Sequence, residues 1–206
     1  MVCVSHTTGS GGDEVGKLAA ERLGYLYVDE EIVATAAAQG GIDPGDVADE
    51  ERRRTFARRV LDTLAEGGGD AWLLGASGAA FAEMASLKPA DVRALIRETV
   101  VQTAARGNVV IVAHAASYAL DRDSRTLRVF VTASEKTRAR RVGSADGLDE
   151  GRAAGAIKES DAGRRDYLKR FYSVDAESPT DYDLVVNTDL LSSEEAAEIV
   201  VRAADR

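Results

Sequence analysis

The chain has 206 residues, 26 of them Lys or Arg and 35 Asp or Glu, for a formal net charge of −9. At 45% hydrophobic and 30% charged it can bury a core, which excludes a disordered tail. The acidic balance argues against a duplex nucleic-acid surface, but not against a small phosphorylated ligand in a locally basic cleft. A single cysteine, Cys3, excludes an intramolecular disulfide and a multi-cysteine zinc site. The two histidines, His6 and His114, are too few for a histidine-rich metal site. No apolar run approaches the roughly 20 residues of a membrane span, and no basic-then-apolar signal opens the chain. The expectation is a cytoplasmic protein without a membrane or a nucleic-acid polymer among its partners.

Short apolar runs alternate with longer amphipathic ones. Val2 to Ser5 reads as a buried strand, followed by a Gly-rich turn from Thr7 to Gly12. A helix follows from about Asp13 to Leu23, with Val15, Leu18, Ala19 and Leu23 on one face and Gly24 as its stop. Tyr25 to Val28 is a second short strand, and Asp29 caps a helix through Ile32, Val33 and Ala36. From Gly40 to Pro89 the character changes. A charged helix from Asp46 to Leu64 carries Arg52, Arg53 and Arg54, whose plain reading is a solvated face. A Gly/Ala-rich stretch from Gly67 to Ala85 follows, suited to an acceptor flap or to self-association with a second copy. The whole segment reads as an insertion.

The alternation then resumes. Pro89 opens a helix over Ala90 to Arg106, and Gly107 ends it. Val109 to Ala113 is apolar on both faces, as a central parallel strand should be. Leu127 to Thr132 is a further strand, and Ser134 caps a helix carrying Arg138 and Arg141. Gly143 to Gly151 reads as a flexible joint ahead of a basic helix over Arg152 to Phe171. Tyr182 to Asn187 is the last strand. Ser192 and Glu195 form a capping box for the final helix. Strands separated by helices imply a parallel sheet with helices on both faces.

The first strand runs into Thr7-Thr8-Gly9-Ser10-Gly11-Gly12-Asp13-Glu14. Strand, glycine turn and helix together aim backbone N–H groups and a helix N-terminus at an anion. A plain βα turn has the same composition. A pattern search also finds Gly11-x-x-x-x-Gly16-Lys17, but Leu18 replaces the Ser or Thr, and Gly16 and Lys17 fall a turn inside the helix. The register that fits the strand puts His6 at the first glycine of the P-loop pattern and Gly11 at the second. Gly12 then stands at the lysine and Asp13 at the magnesium-binding Ser or Thr. The backbone device is kept and the lysine is missing.

Six landmarks stand in order. They are Ser5-His6-Thr7-Thr8-Gly9-Ser10-Gly11-Gly12-Asp13-Glu14, Leu23 to Asp29, Val110 to Ala116, Val129 to Ser134 with Arg138 and Arg141, Asp161 with Arg164 and Tyr167, and Tyr182 to Thr188. In this arrangement the chain resembles the cytidylate-kinase-like family of P-loop proteins, a branch of the nucleoside monophosphate kinases. The resemblance covers both ends and the centre of the chain, not the insertion. It departs at three cations, with His6, Asp13 and His114 where the family has arginine. In cytidylate kinases the arginine at position 114 contacts the acceptor phosphate.

The resemblance implies an α/β architecture: a three-layer P-loop kinase-like fold, a five-stranded parallel sheet with helices on both faces, a helical insertion and a lid. It implies one domain over residues 1–206, with an acceptor-side insertion at 40–89 and a lid at 136–168. The expected activity is ATP- and Mg2+-dependent phosphoryl transfer to a nucleoside monophosphate, cytidylate by family default, or a related small acceptor. The alternative is a nucleotide-binding or regulatory protein that has lost catalysis, and the glycine loop alone would serve a non-nucleotide anion-binding module. Phosphoryl transfer is mostly positioning and charge neutralisation. Arg138, Arg141 and Arg164 are therefore the candidate catalytic cations, each with a surface ion pair as the plain reading. Thr8 to Glu14 would hold the nucleotide, that is Thr8, Gly9, Ser10, Gly11, Gly12, Asp13 and Glu14. Asp13 would hold magnesium through water, or simply complement the helix dipole. Asp161 would bind the acceptor or orient Arg164. Asp29 is a helix cap first and an acceptor-site carboxylate second. His6 and His114 would replace arginine as donors, act as base, or only pack.

Overall fold

The computed structural model describes residues 1–29, 89–113, 116–120 and 125–205. His114, most of the 40–89 insertion, the Asp46–Leu64 helix and the Gly67–Ala85 stretch lie outside the described residues. The chain divides into two compact units, Met1–Tyr27 with Val110–Arg206, and Val28–Val109. The elements in chain order are β1 (Val2–His6), α1 (Gly12–Leu23), β2 (Leu26–Asp29), α2 (Pro89–Ala105), β3 (Val109–Val112) and α3 (Ala116–Ala119). They continue with β4 (Leu127–Thr132), α4 (Glu135–Asp146), α5 (Glu150–Tyr172), a short 3-10 turn (Pro179–Asp181), β5 (Leu184–Asn187) and α6 (Ser193–Ala204).

The five strands form one sheet in the order β2-β3-β1-β4-β5. β1 runs parallel to β3 and to β4, and β4 runs parallel to β5. Every residue of β1 and β3 is buried, which explains their continuous apolar runs. β1 is central. The chain passes to one side of it for β2 and β3 and to the other for β4 and β5. Its carboxyl end is therefore where strand order reverses, the position at which open α/β sheets bind ligands.

In the first unit, Val2, Val4, Val110, Val112, Val129 and Val131 pack with Val15 and Ala19 of α1 and with Ala196, Ala197 and Val200 of α6. A Cβ on Gly16 would collide with the Val112 side chain. Gly16 is thus the residue that lets α1 lie close on the sheet, and the spurious P-loop glycine has a packing role. Lys17 beside it is exposed. Cys3 is fully buried on β1 and accepts a weak hydrogen bond from Ser117 Oγ at 3.6 Å, and burial pushes its thiol up to about 11.

Helix ends follow the expected chemistry. Gly24 caps α1 in the left-handed conformation with φ of 64°. Ser134 Oγ accepts from Thr137 N, and Ser192 with Glu195 closes a capping box on α6. Asp189 accepts hydrogen bonds from Ser134 N and Ser134 Oγ, which hold its carboxyl below the ordinary value. The joint expected over Gly143 to Gly151 is mostly helical. Gly143 lies within α4, and the helices are separated by a tight turn in which Gly147 is left-handed and Asp149 caps α5 through Arg152 N. Leu148 N donates to Gly143 O at 3.0 Å, and a Cβ on Gly143 would stand 3.1 Å from the Leu148 carbonyl oxygen. Gly143 thus lets the Leu148 carbonyl and Ala153 of α5 pack close against α4. In the second unit, the described residues include α2, on which Thr99, Val100 and Thr103 are buried.

Candidate functional site

The loop between β1 and α1 is built from its carbonyl side. Gly9 and Gly11 have φ of 79° and 82°, a region that favours glycine. A Cβ on Gly9 would stand 2.8 Å from the Arg138 carbonyl oxygen. Thr7 N donates to Val131 O, and Ser10 N donates to Thr7 O. Ser10 is fully buried, and its hydroxyl donates to Val131 O at 3.1 Å, so its side chain secures the loop to β4. Thr8 Oγ1 and Ser160 Oγ of α5 are 2.6 Å apart.

Three arginines grip the loop. Arg164 Nη1 donates to His6 O at 3.4 Å. Arg138 Nη1 donates to Thr8 O at 3.3 Å. Arg141 Nη1 reaches Gly9 O at 3.4 Å and Ser10 O at 3.1 Å. These are the three cations that sequence reading put at the site, and the structure brings all three to the loop. Each meets a carbonyl, which is the face of a peptide opposite to the one an anion needs. On the other side, the N–H groups of Thr8, Gly9, Gly11 and Gly12 donate to no acceptor among the described residues, and α1 has no side-chain cap. Open N–H groups at a helix N-terminus are a nest for an anion.

The counter-charges differ from expectation. Asp161 does not orient Arg164. It takes Arg138 in a two-bond fork at 2.9 and 2.7 Å. Arg164 instead forks Glu177 at 2.6 and 2.7 Å, beyond the end of α5. Glu177 also accepts a short hydrogen bond from Tyr182 Oη. Tyr182 stacks on Phe130 at 4.8 Å between ring centroids, with the Arg164 guanidinium 5.7 Å from the Phe130 ring. Burial, and then Glu177, push the Tyr182 hydroxyl far above its ordinary pKa. Tyr118 donates to Asp181 Oδ2 at 3.2 Å and completes this aromatic and acidic cluster.

The remaining predicted residues fall as follows. His6 is buried at the end of β1, with Nε2 3.2 Å from Asp13 Oδ1. A Cβ on Gly12 would run into the His6 side chain. Asp13 and Glu14 are exposed on the first turn of α1. Asp29 closes β2 at its carboxyl end. Among the described residues no cluster of three or more His, Cys, Asp or Glu could hold a metal ion by itself. A cleft of about 700 Å3 runs along the other face of α4, lined by residues that include Lys136, Arg140 and Leu148 and by none from the glycine loop.

Sequence reasoning missed Thr188, Glu177 and Ser160. Thr188 Oγ1 donates to Ser10 O at 2.7 Å, and Arg141 donates to both the Thr188 hydroxyl and its carbonyl. Thr188 did stand in the Tyr182 to Thr188 landmark. Glu177 had no signal, because its partner lies 13 residues away around a helix end.

A five-stranded sheet of this order with a glycine loop after its central strand defines an α/β, P-loop kinase-like fold. The chain belongs to the cytidylate kinase-like family, whose model matches residues 1–190. A cytidylate kinase of Ignicoccus hospitalis is 30% identical over 98% of this chain and 97% of its own length. One of Aeropyrum pernix is 33% identical over 63% of this chain and 76% of its own. Among solved structures, an uncharacterized protein from Eubacterium ventriosum is similar with a TM-score of 0.66 and 16% identity, covering 99% of this chain and 97% of that one. A shikimate kinase from Bacteroides thetaiotaomicron is similar with a TM-score of 0.51 and 16% identity, covering 100% and 98%. Those two likenesses concern the fold alone.

Proposed function

We propose that the protein is a phosphotransferase that uses Mg·ATP and a nucleoside monophosphate, with cytidylate as the first acceptor to try. The observation that carries this reading is the glycine loop, whose carbonyls are held from behind while the N–H groups of Thr8, Gly9, Gly11 and Gly12 remain open. That donor set fits the phosphate chain of a nucleotide. Asp13, 69% exposed on the first turn of α1, is of the right chemistry for a magnesium ion held through water. Mg·ATP, when bound, would supply the transferable phosphoryl group. The loop would position its phosphates, and the neighbouring arginines would set the local positive potential. In the first unit the acceptor would fall to Asp161 and Arg164, with residues 136–168 as the lid.

A second reading has its own support. Arg138 and Arg164 are each neutralised by a carboxylate and tied to the loop backbone. Cations so engaged suit a protein that binds nucleotide without turning it over. The test is thermal unfolding with Mg·ATP, GTP and sulfate, followed by ADP release across a panel of nucleoside monophosphates. Ligand at about 100 times its dissociation constant stabilises by roughly 2.7 kcal/mol. An ATP-selective rise in Tm with acceptor-dependent ADP release supports the phosphotransferase. A rise without turnover supports the binding protein. No rise removes both.

A further inference from the structure

The loop lacks the lysine that a P-loop places against phosphate, and its own packing forbids one, because the His6 side chain fills the space a side chain at position 12 would need. We propose that Arg141 is a positioning residue that supplies the missing positive charge through the loop's peptide groups rather than by touching the ligand. The inference rests on the anion-binding reading of the loop.

Three observations carry it. First, Arg141 differs from the other two arginines in its partners. Arg138 faces Asp161 and Arg164 faces Glu177. The Arg141 acceptors are the neutral oxygens of Gly9, Ser10 and Thr188, so among the described residues no carboxylate offsets its charge. Second, the carbonyl it grips belongs to a peptide whose other end faces the site. The Ser10 carbonyl and the Gly11 N–H share one planar, conjugated group. A cation at the oxygen draws electron density from the nitrogen and strengthens the N–H as a donor. Thr188 Oγ1 donates to the same Ser10 oxygen at 2.7 Å and adds to the effect. Third, Gly11 is the N-cap of α1, has no side-chain cap, and adds its N–H to the positive end of the helix dipole. Arg138 acts in the same way on the Thr8 carbonyl and the Gly9 N–H, but with Asp161 cancelling its charge.

The test compares wild type with Arg141→Gln and Arg141→Lys in three measurements: thermal unfolding, the Gly11 amide resonance of the ligand-free protein, and affinity for inorganic pyrophosphate by calorimetry at two salt concentrations. In Arg141→Gln the Gly11 amide proton should move upfield while amides of α6 far from the loop stay in place. Pyrophosphate affinity should fall, but by less than the roughly tenfold that losing a direct charge-assisted hydrogen bond would cost, because Arg141 acts only by polarising the Gly11 N–H. Arg141→Lys, which keeps the charge and loses the fork, should recover most of that loss. Thr188→Val removes the second donor on Ser10 O and should shift Gly11 in the same direction by less, and it serves if the Gln variant fails to fold. Equal loss in the Lys and Gln variants, or an unmoved Gly11 resonance, would overturn the proposal. Wild type that binds neither pyrophosphate nor ATP would instead overturn the phosphotransferase reading, while the ligand-free Gly11 resonance would still decide the peptide relay.

Discussion

Arg138 on α4 and Asp161 on α5 close a two-bond fork across 23 residues of chain, with the arginine side chain 7% exposed and the aspartate 27%. Arg138 Nε is buried with no hydrogen-bond partner, so the guanidinium depends on this carboxylate. Asp161→Asn keeps the size and removes the counter-charge. We expect a loss of about 2 to 3 kcal/mol, below the range for fully buried pairs because Asp161 keeps some water contact. The urea midpoint reads it, and a midpoint equal to wild type would show that the pair contributes nothing.

Stability should fall in alkali. Burial raises the Cys3 thiol from 9.0 to about 11 and the Tyr118 hydroxyl from 10.0 to about 12, and raises Tyr182 further. Each group holds its proton longer when folded than when unfolded. The contribution is therefore whole below about pH 9, where the unfolded chain also keeps these protons, and declines as pH rises through 9 to 12. Chemical unfolding at pH 8, 10 and 11 measures the slope. Tyr182→Phe should flatten it, and an identical slope in that variant would remove Tyr182 from the account.

Gly9→Ala should cost both stability and nucleotide binding. The left-handed backbone disfavours alanine by about 1 to 2 kcal/mol, and its Cβ would press on the Arg138 carbonyl oxygen at 2.8 Å. The expected result is a lower Tm and loss of any shift with Mg·ATP. Retention of both would mean that the loop relaxes without consequence.

Installing the missing lysine should fail. Gly12→Lys puts a Cβ into the His6 side chain and should weaken nucleotide binding rather than improve it. Lys17→Ala, on the exposed face of α1, should change nucleotide affinity by less than about twofold, as surface substitutions do. Calorimetry on the two variants distinguishes them. A gain from Gly12→Lys, or a large loss from Lys17→Ala, would restore the ordinary P-loop reading of this helix.

The fold could be read from the chain because its signals are local. Val2 to Ser5 and Leu127 to Thr132 are short, mostly apolar runs, Val109 to Val112 is apolar on both faces, and Gly24, Ser134 and Ser192 mark helix ends by their own chemistry. The identity of the loop-facing arginines was legible too, since Arg138 and Arg141 are spaced to share a helix face. What each one touches was not. Arg164 has Asp161 three residues away on its own helix, yet pairs with Glu177, because the fold and not the spacing decides which carboxylate arrives. The glycines from 143 to 151 record freedom of the backbone in composition, while the approach of Ala153 of α5 to Gly143 depends on how the two helices pack.

The burial of Cys3 makes the native chain a ready background for site-specific labelling. A thiol with no solvent exposure and a pKa near 11 presents almost no thiolate at neutral pH. A cysteine placed at an exposed residue such as Lys158 on α5 would then react alone with a maleimide dye. Fluorescence from that single position could follow α5 in real time as nucleotide is added, without first removing any native residue.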